Sequence, residues 1–108
     1  MDEEKRRQLR DEKRRLLKQI RSLHEAIRGS VVVLRRRCSY PGCRRCAAGF
    51  KHPALYHTVS KNGKTQTTYL GERLAPACRD GVESYRRLTE RIERLSQINL
   101  ALLIGKER

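Results

Sequence analysis

Three thiols fall within nine residues in Cys38-Ser-Tyr-Pro-Gly-Cys43-Arg-Arg-Cys46, around a Pro-Gly turn, and a fourth, Cys78, follows 32 residues later. A Cys-x2-Cys pair on a turn is half of a tetrahedral zinc site, because both thiolates can face one ion. Thiolates also suit an iron–sulfur cluster, and zinc is the default without other cues. In a reducing compartment, clustered cysteines favour metal over a disulfide. Cys43 and Cys46 flank Arg44 and Arg45 in a polar loop, which is no core environment. The expectation is one structural Zn2+ held by Cys38, Cys43, Cys46 and Cys78, with His52 as the alternative fourth ligand. The expected strands return the chain to Cys78 at the end where the other thiols lie. Closing that longer span costs only about 1–2 kcal/mol more than closing to His52. A helix expected just beyond Cys78 would favour its thiolate through the dipole.

A site closed by four protein ligands has no open position for a substrate. The sequence has no Gly-rich phosphate loop, no His-Glu pairing of a hydrolytic metal site and no paired carboxylates, and Glu72 is the only acid between residues 30 and 78. An enzyme is therefore not expected, nor a small-molecule substrate. His57 reads as a core histidine and His24 as a helix-surface residue.

Charge points to the partner. The 108 residues carry 26 Lys+Arg against 12 Asp+Glu, a formal net charge of +14. The flanks mix their signs as solvated helices do, whereas residues 30–78 hold nine basic side chains and one acid. Such a unit repels itself, and phosphates would relieve the repulsion. The expected interface is Arg35, Arg36, Arg37, Arg44, Arg45, Lys51, Lys61 and Lys64, with Tyr56 and Tyr69 able to stack on bases. DNA is favoured over RNA. There is no apolar run long enough to span a bilayer and no apolar leader segment, so the expected location is the cytoplasm and no membrane partner is expected.

The elements that must position these residues follow from periodicity. Residues 2–28 read as a helix capped by Asp2 and stopped by Gly29. Its apolar seam is Leu16, Ile20, Leu23 and Ile27. Residues 30–37 read as a β-branched strand, and residues 54–61 and 64–71 as a hairpin closed by Asn62-Gly63. That turn sets Lys61 opposite Lys64, Thr58 opposite Thr67, Tyr56 opposite Tyr69 and Leu55 opposite Leu70. The Leu55/His57/Val59 face is assigned to the helices, which leaves the tyrosine face open. Residues 80–104 read as a second helix, with Asp80 and Glu83 at its start. Its seam is Tyr85, Leu88, Ile92, Leu95, Asn99 and Leu102, with Asn99 at a position that would set register.

The fold class is α+β: a long N-terminal basic helix (1–29), a cysteine-rich three-stranded antiparallel unit (30–78) and a long C-terminal helix (79–108), with coiled-coil-like helix packing. The seams are expected to hold a homodimer. The function expected is a non-enzymatic zinc protein that binds nucleic acid as a dimer. The alternative is a helical protein–protein adaptor or assembly factor with a structural zinc.

Several short motifs carry a resemblance: Arg37-Cys38, Pro41-Gly42-Cys43, Cys46, His52-Pro53, Asn62-Gly63-Lys64-Thr65 and Tyr85-Arg86-Arg87-Leu88. The stretch from about Gly29 to Leu103 resembles a short uncharacterised family of bacterial and archaeal proteins. The resemblance implies a strand, a cysteine-rich loop, a hairpin and a C-terminal helix, and no established activity. The chain departs from it in a Cys43–Cys46 gap one residue longer and in Cys78, while a histidine before the second strand is shared at His52.

Overall fold

The structure, a computed structural model, describes residues 1–36, 42–49 and 51–106, with only the backbone of Arg45. The elements run α1 (Glu3–Ser22), β1 (Ser30–Arg36), α2 (Arg44–Ala47), β2 (His52–Lys61), β3 (Lys64–Tyr69) and α3 (Gly71–Lys106). This is the α+β order expected: a long N-terminal helix, a three-stranded antiparallel sheet and a long C-terminal helix. The chain divides into two compact units, residues 1–26 with 83–108, and residues 27–82.

In the helical unit, Asp2 caps α1 by accepting from the Lys5 N–H at 2.7 Å, and Glu3 and Glu4 occupy the favourable first turn. The helix ends at Ser22, earlier than the stop expected at Gly29. A continued helix would give the Ile27 N–H to the Leu23 carbonyl, but it donates instead to the Gly81 carbonyl at 2.9 Å. Leu23 is therefore the C-cap, and Ile27 is off the helix that was to carry it in a seam.

The core of this unit is Leu9, Leu16 and Ile98, with Leu95, Ala101 and Leu102 packed against it. The helices thus pair within one chain. The inward stripe of α3 runs through Leu88, Leu95, Ile98, Leu102 and Gly105, and Ile98 is only 1% exposed. Asn99 is exposed, and Ile92 is 49% exposed. This corrects the expected seam by one register: Tyr85, Ile92 and Asn99 lie beside the contact with α1. On the other side Arg94 holds Glu12 bidentately at 2.7 and 3.1 Å, and Arg91 donates to Gln19 at 2.9 Å. The Arg94 hydrogen bond draws the Glu12 carboxyl below its ordinary pKa, against a weaker opposing push from desolvation.

In the β unit, Asn62 and Gly63 both take positive φ (53° and 76°), the geometry that suits the right-handed twist of a hairpin. The register is the expected one: Lys61 opposite Lys64, Thr58 opposite Thr67 and Tyr56 opposite Tyr69, with Leu70 N–H donating to Leu55 O at 3.0 Å. β1 adds antiparallel to β2, from Ser30 opposite Thr58 to Arg36 opposite His52. Exposure does not follow the expected split between faces. Val33, paired with Leu55, is 62% exposed, whereas Tyr56 is half-buried. Gly29 enters β1 at φ +126°, where a Cβ would collide with His57 Nε2 and Thr58 O. His57 donates to the Arg28 carbonyl at 2.8 Å.

α3 starts at Gly71, not at the capping residues near Asp80, and continues one residue past Gly105. Pro76 lies inside it. A proline forfeits its own bond to the carbonyl four residues back and its ring crowds that carbonyl, so a second-turn proline is carried where the packing of the turn offsets that cost. Ala75, Cys78 and Gly81 recur at every third position and are all buried.

Candidate metal centre

Cys43 is the N-cap of α2, and Cys46 lies one turn on. Ala47 N–H donates to Cys43 O at 3.0 Å, and Gly49 N–H to Cys46 O at 3.1 Å. This closed turn brings the two thiols of the Cys-x2-Cys pair to one side. His52 opens β2 and pairs with Arg36, which sets its ring beside the turn. Cys43 Sγ and His52 Nε2 are 2.9 Å apart. The ligand atoms of Cys43, Cys46 and His52 all lie within 4.8 Å of one another. Tetrahedral zinc would space such atoms by roughly 3.5–3.8 Å, given Zn–S and Zn–N bonds of about 2.3 and 2.0 Å. Cys46 is buried and the other two are half-buried, so the group is shielded but reachable.

Cys38 lies outside the described residues. Cys78 is not among the gathered ligands. The physical reason is the early start of α3. Cys78 sits two turns inside a helix, 7% exposed, on the face it shares with Ala75 and Gly81. There it packs as a small apolar side chain, whereas the sequence placed it on a loop ahead of a helix. His52, the alternative, is the residue that the strand pairing delivers to the cysteines.

The expected cationic interface divides. Arg35 and Arg36 pair with Pro53 and His52 at the metal end of the sheet, and exposed Arg44 and Lys51 flank the ligands in sequence. Lys61 and Lys64 are at the far end of the hairpin, about 30 Å from His52 at roughly 3.3 Å per strand residue. They form a separate patch from the one beside the ligands. Arg37 lies outside the described residues, as does the side chain of Arg45. The Arg36 guanidinium lies 5.1 Å from the centre of the Tyr56 ring, and Tyr56 meets Tyr69 edge-on at 5.6 Å. Tyr56 is thereby engaged on both sides, while Tyr69 is 64% exposed and free to stack. This Arg36–Tyr56 pair was not legible beforehand, because only the pairing of β1 with β2 sets residues 36 and 56 on one face.

No helix among the described residues is long and apolar enough to cross a membrane. The family model for DUF6788, a domain of unknown function, matches residues 3–80, covering α1, the whole sheet and the opening of α3. No curated protein and no solved structure matches the chain.

Proposed function

The chain belongs to the DUF6788 family, and we propose that its β unit is a zinc-stapled, non-enzymatic platform for nucleic acid, with DNA favoured. One observation carries the reading. The gathered ligands Cys43, Cys46 and His52 share an end of the sheet with Arg35 and Arg36, beside Tyr56 and Tyr69. The ion's role is structural. It ties the α2 turn to the start of β2 in a unit with few large buried side chains, where a staple supplies what the core does not. Cys38 would complete a four-ligand shell. Zinc is favoured by thiolate and imidazole donors in tetrahedral array. Such thiolates persist in a reducing compartment, and the cytoplasm is the location this reading needs.

Phosphate contact would come from Arg35, Arg36, Arg44 and Lys51, with Tyr69 offering a face to an unpaired base. None of these groups reads a base edge by itself, so binding should be sequence-tolerant. The test is fluorescence anisotropy on metal-quantified protein with labelled duplex and single-stranded DNA and RNA of several sequences. At about 50 mM salt, binding should appear for all of them, with log K falling against log salt at a slope of roughly −3 to −4 on duplex for four phosphate contacts. Absence of affinity for any of them at that salt rejects the reading and leaves the adaptor role.

A further inference from the structure

α3 carries a second stripe that its pairing with α1 does not use. Tyr85, Thr89, Ile92, Ser96, Asn99 and Leu103 recur at steps of 4, 3, 4, 3 and 4, and all six are exposed. Not one is charged, in a chain where 35% of residues are. The charged residues Glu83, Arg86, Glu90, Glu93 and Arg94 lie on the other faces of the same helix. Such 3-4 spacing is the signature of positions that insert into a neighbouring helix. The stripe covers about 27 Å at 1.5 Å per residue, the length of an ordinary helix-to-helix contact.

Between this stripe and α1 runs a cleft of about 300 Å³, lined by Arg6, Arg10 and Lys13 of α1 and by Asn99, Leu102, Leu103 and Lys106 of α3. Four cations line it and no acid does. Arg6 donates to the Gly105 carbonyl at 3.0 Å, yet its Nε is buried with no acceptor among the described residues. The cleft therefore combines an apolar wall with four cations and, among the described residues, no acid in its lining.

We propose that this face receives an amphipathic, acidic helix of a protein partner, with its apolar ridge on Ile92 and Leu103 and its carboxylates toward Arg6, Arg10, Lys13 and Lys106. Helix-in-groove recognition uses this geometry, with anchors at three- and four-residue spacing. Charge selects the occupant. A second copy packed in parallel on this face would set four cations against four, a like-charge penalty that disfavours that pairing. A bilayer would have to take in Thr89, Ser96 and Asn99, whereas interfacial helices bury a continuous apolar face. An acidic helix meets both halves of the cleft, and the cleft shares no residue with the metal centre, so the two sites can be tested apart.

The probe is a synthetic helical peptide of about 18 residues, matched to the stripe, with Leu at 3-4 spacing and Glu on one flank. A control has the same composition in scrambled order. Binding to the full chain is followed by anisotropy of the labelled peptide. The amphipathic peptide should bind saturably and at least tenfold tighter than the control. Ile92→Asp with Leu103→Asp should abolish that preference while the helical circular dichroism is retained, since both positions are exposed. Arg10→Glu with Lys13→Glu should lose the Glu peptide and gain one in which Lys replaces Glu. Arg36→Ala should leave the peptide affinity unchanged. Equal binding of the scrambled peptide overturns the proposal, as does absence of saturation at about 1 mM. So does a light-scattering mass of two chains that Ile92→Asp returns to one. Co-sedimentation with anionic phosphatidylserine vesicles that Ile92→Asp abolishes also overturns it, in favour of a membrane surface.

Discussion

His52→Ala tests the centre most directly, because His52 and Cys78 are rivals for one coordination position. Structural zinc is bound in small domains with an apparent free energy of about 10–16 kcal/mol at neutral pH. Shared over four ligands, that is roughly 3 kcal/mol each, or about a hundredfold in affinity at 1.4 kcal/mol per tenfold. His52 Nε2 lies 2.9 Å from Cys43 Sγ, and among the described residues Cys43, Cys46 and His52 are the ligand-type groups gathered there. His52→Ala should therefore weaken zinc by about a hundredfold. His52→Cys should recover most of it, since a thiolate can take the same position. Cys78→Ser should leave zinc affinity within about threefold. Its effect falls on stability instead: a hydroxyl in the packed face shared with Ala75 and Gly81 should cost about 1–2 kcal/mol. The assay is competition of the full chain against a chromophoric chelator at about pH 7.5, with elemental analysis of protein purified without added metal. A variant ranking in which Cys78→Ser loses the ion and His52→Ala keeps it would refute the reasoning. Stoichiometry below about 0.2 ions per wild-type chain would remove the metal altogether.

Three further outcomes are expected. Ile98→Ala should cost about 2–5 kcal/mol in urea unfolding, whereas Asn99→Leu should stay within about 0.5 kcal/mol, because Ile98 and not Asn99 is the buried position of α3; equal effects would restore the other register. Gly29→Ala should lower the melting temperature and blur the β1 amide signals in an NMR spectrum, since φ is +126° and a Cβ collides with His57 and Thr58; an unchanged melting temperature would contradict the close approach. Glu12 and Glu83 have carboxyls drawn below the ordinary 4.5, first by hydrogen bonds from Arg94 and Arg86. Their folded form binds protons less readily than the unfolded chain, so their stabilisation is present above the ordinary carboxylate range and is lost as pH falls through the lowered values. Melting temperature should therefore drop on acidification below about pH 4.5, less steeply in Glu12→Gln, with a parallel decline in both proteins counting against the Glu12–Arg94 bond.

The two long helices, the three strands and their order were legible in residues alone, whereas α2 falls in a stretch that read as loop. Alternation around Asn62-Gly63 specified the register of the hairpin, because a two-residue turn with positive φ admits one register, although β2 starts at His52 and β3 ends at Tyr69 rather than at 54 and 71. Asp2 and the two glutamates specified the start of α1, and the Cys43–Cys46 spacing specified a metal-type turn. These are properties of neighbours in sequence, where chain geometry leaves little choice. Three features were decided only by packing. The start of α3 depends on Pro76 being carried in a helix whose Ala75, Cys78 and Gly81 are buried, and that contact turns Cys78 from a presumed ligand into a packed residue. The end of α1 depends on Gly81 accepting the Ile27 N–H from far along the chain. The choice of Ile98 over Asn99 depends on the rotation of α3 against α1, and a helix with two adjacent uncharged stripes does not reveal which one its neighbour will cover. Periodicity in sequence states that a helix has a face to bury, and only the third dimension states against what.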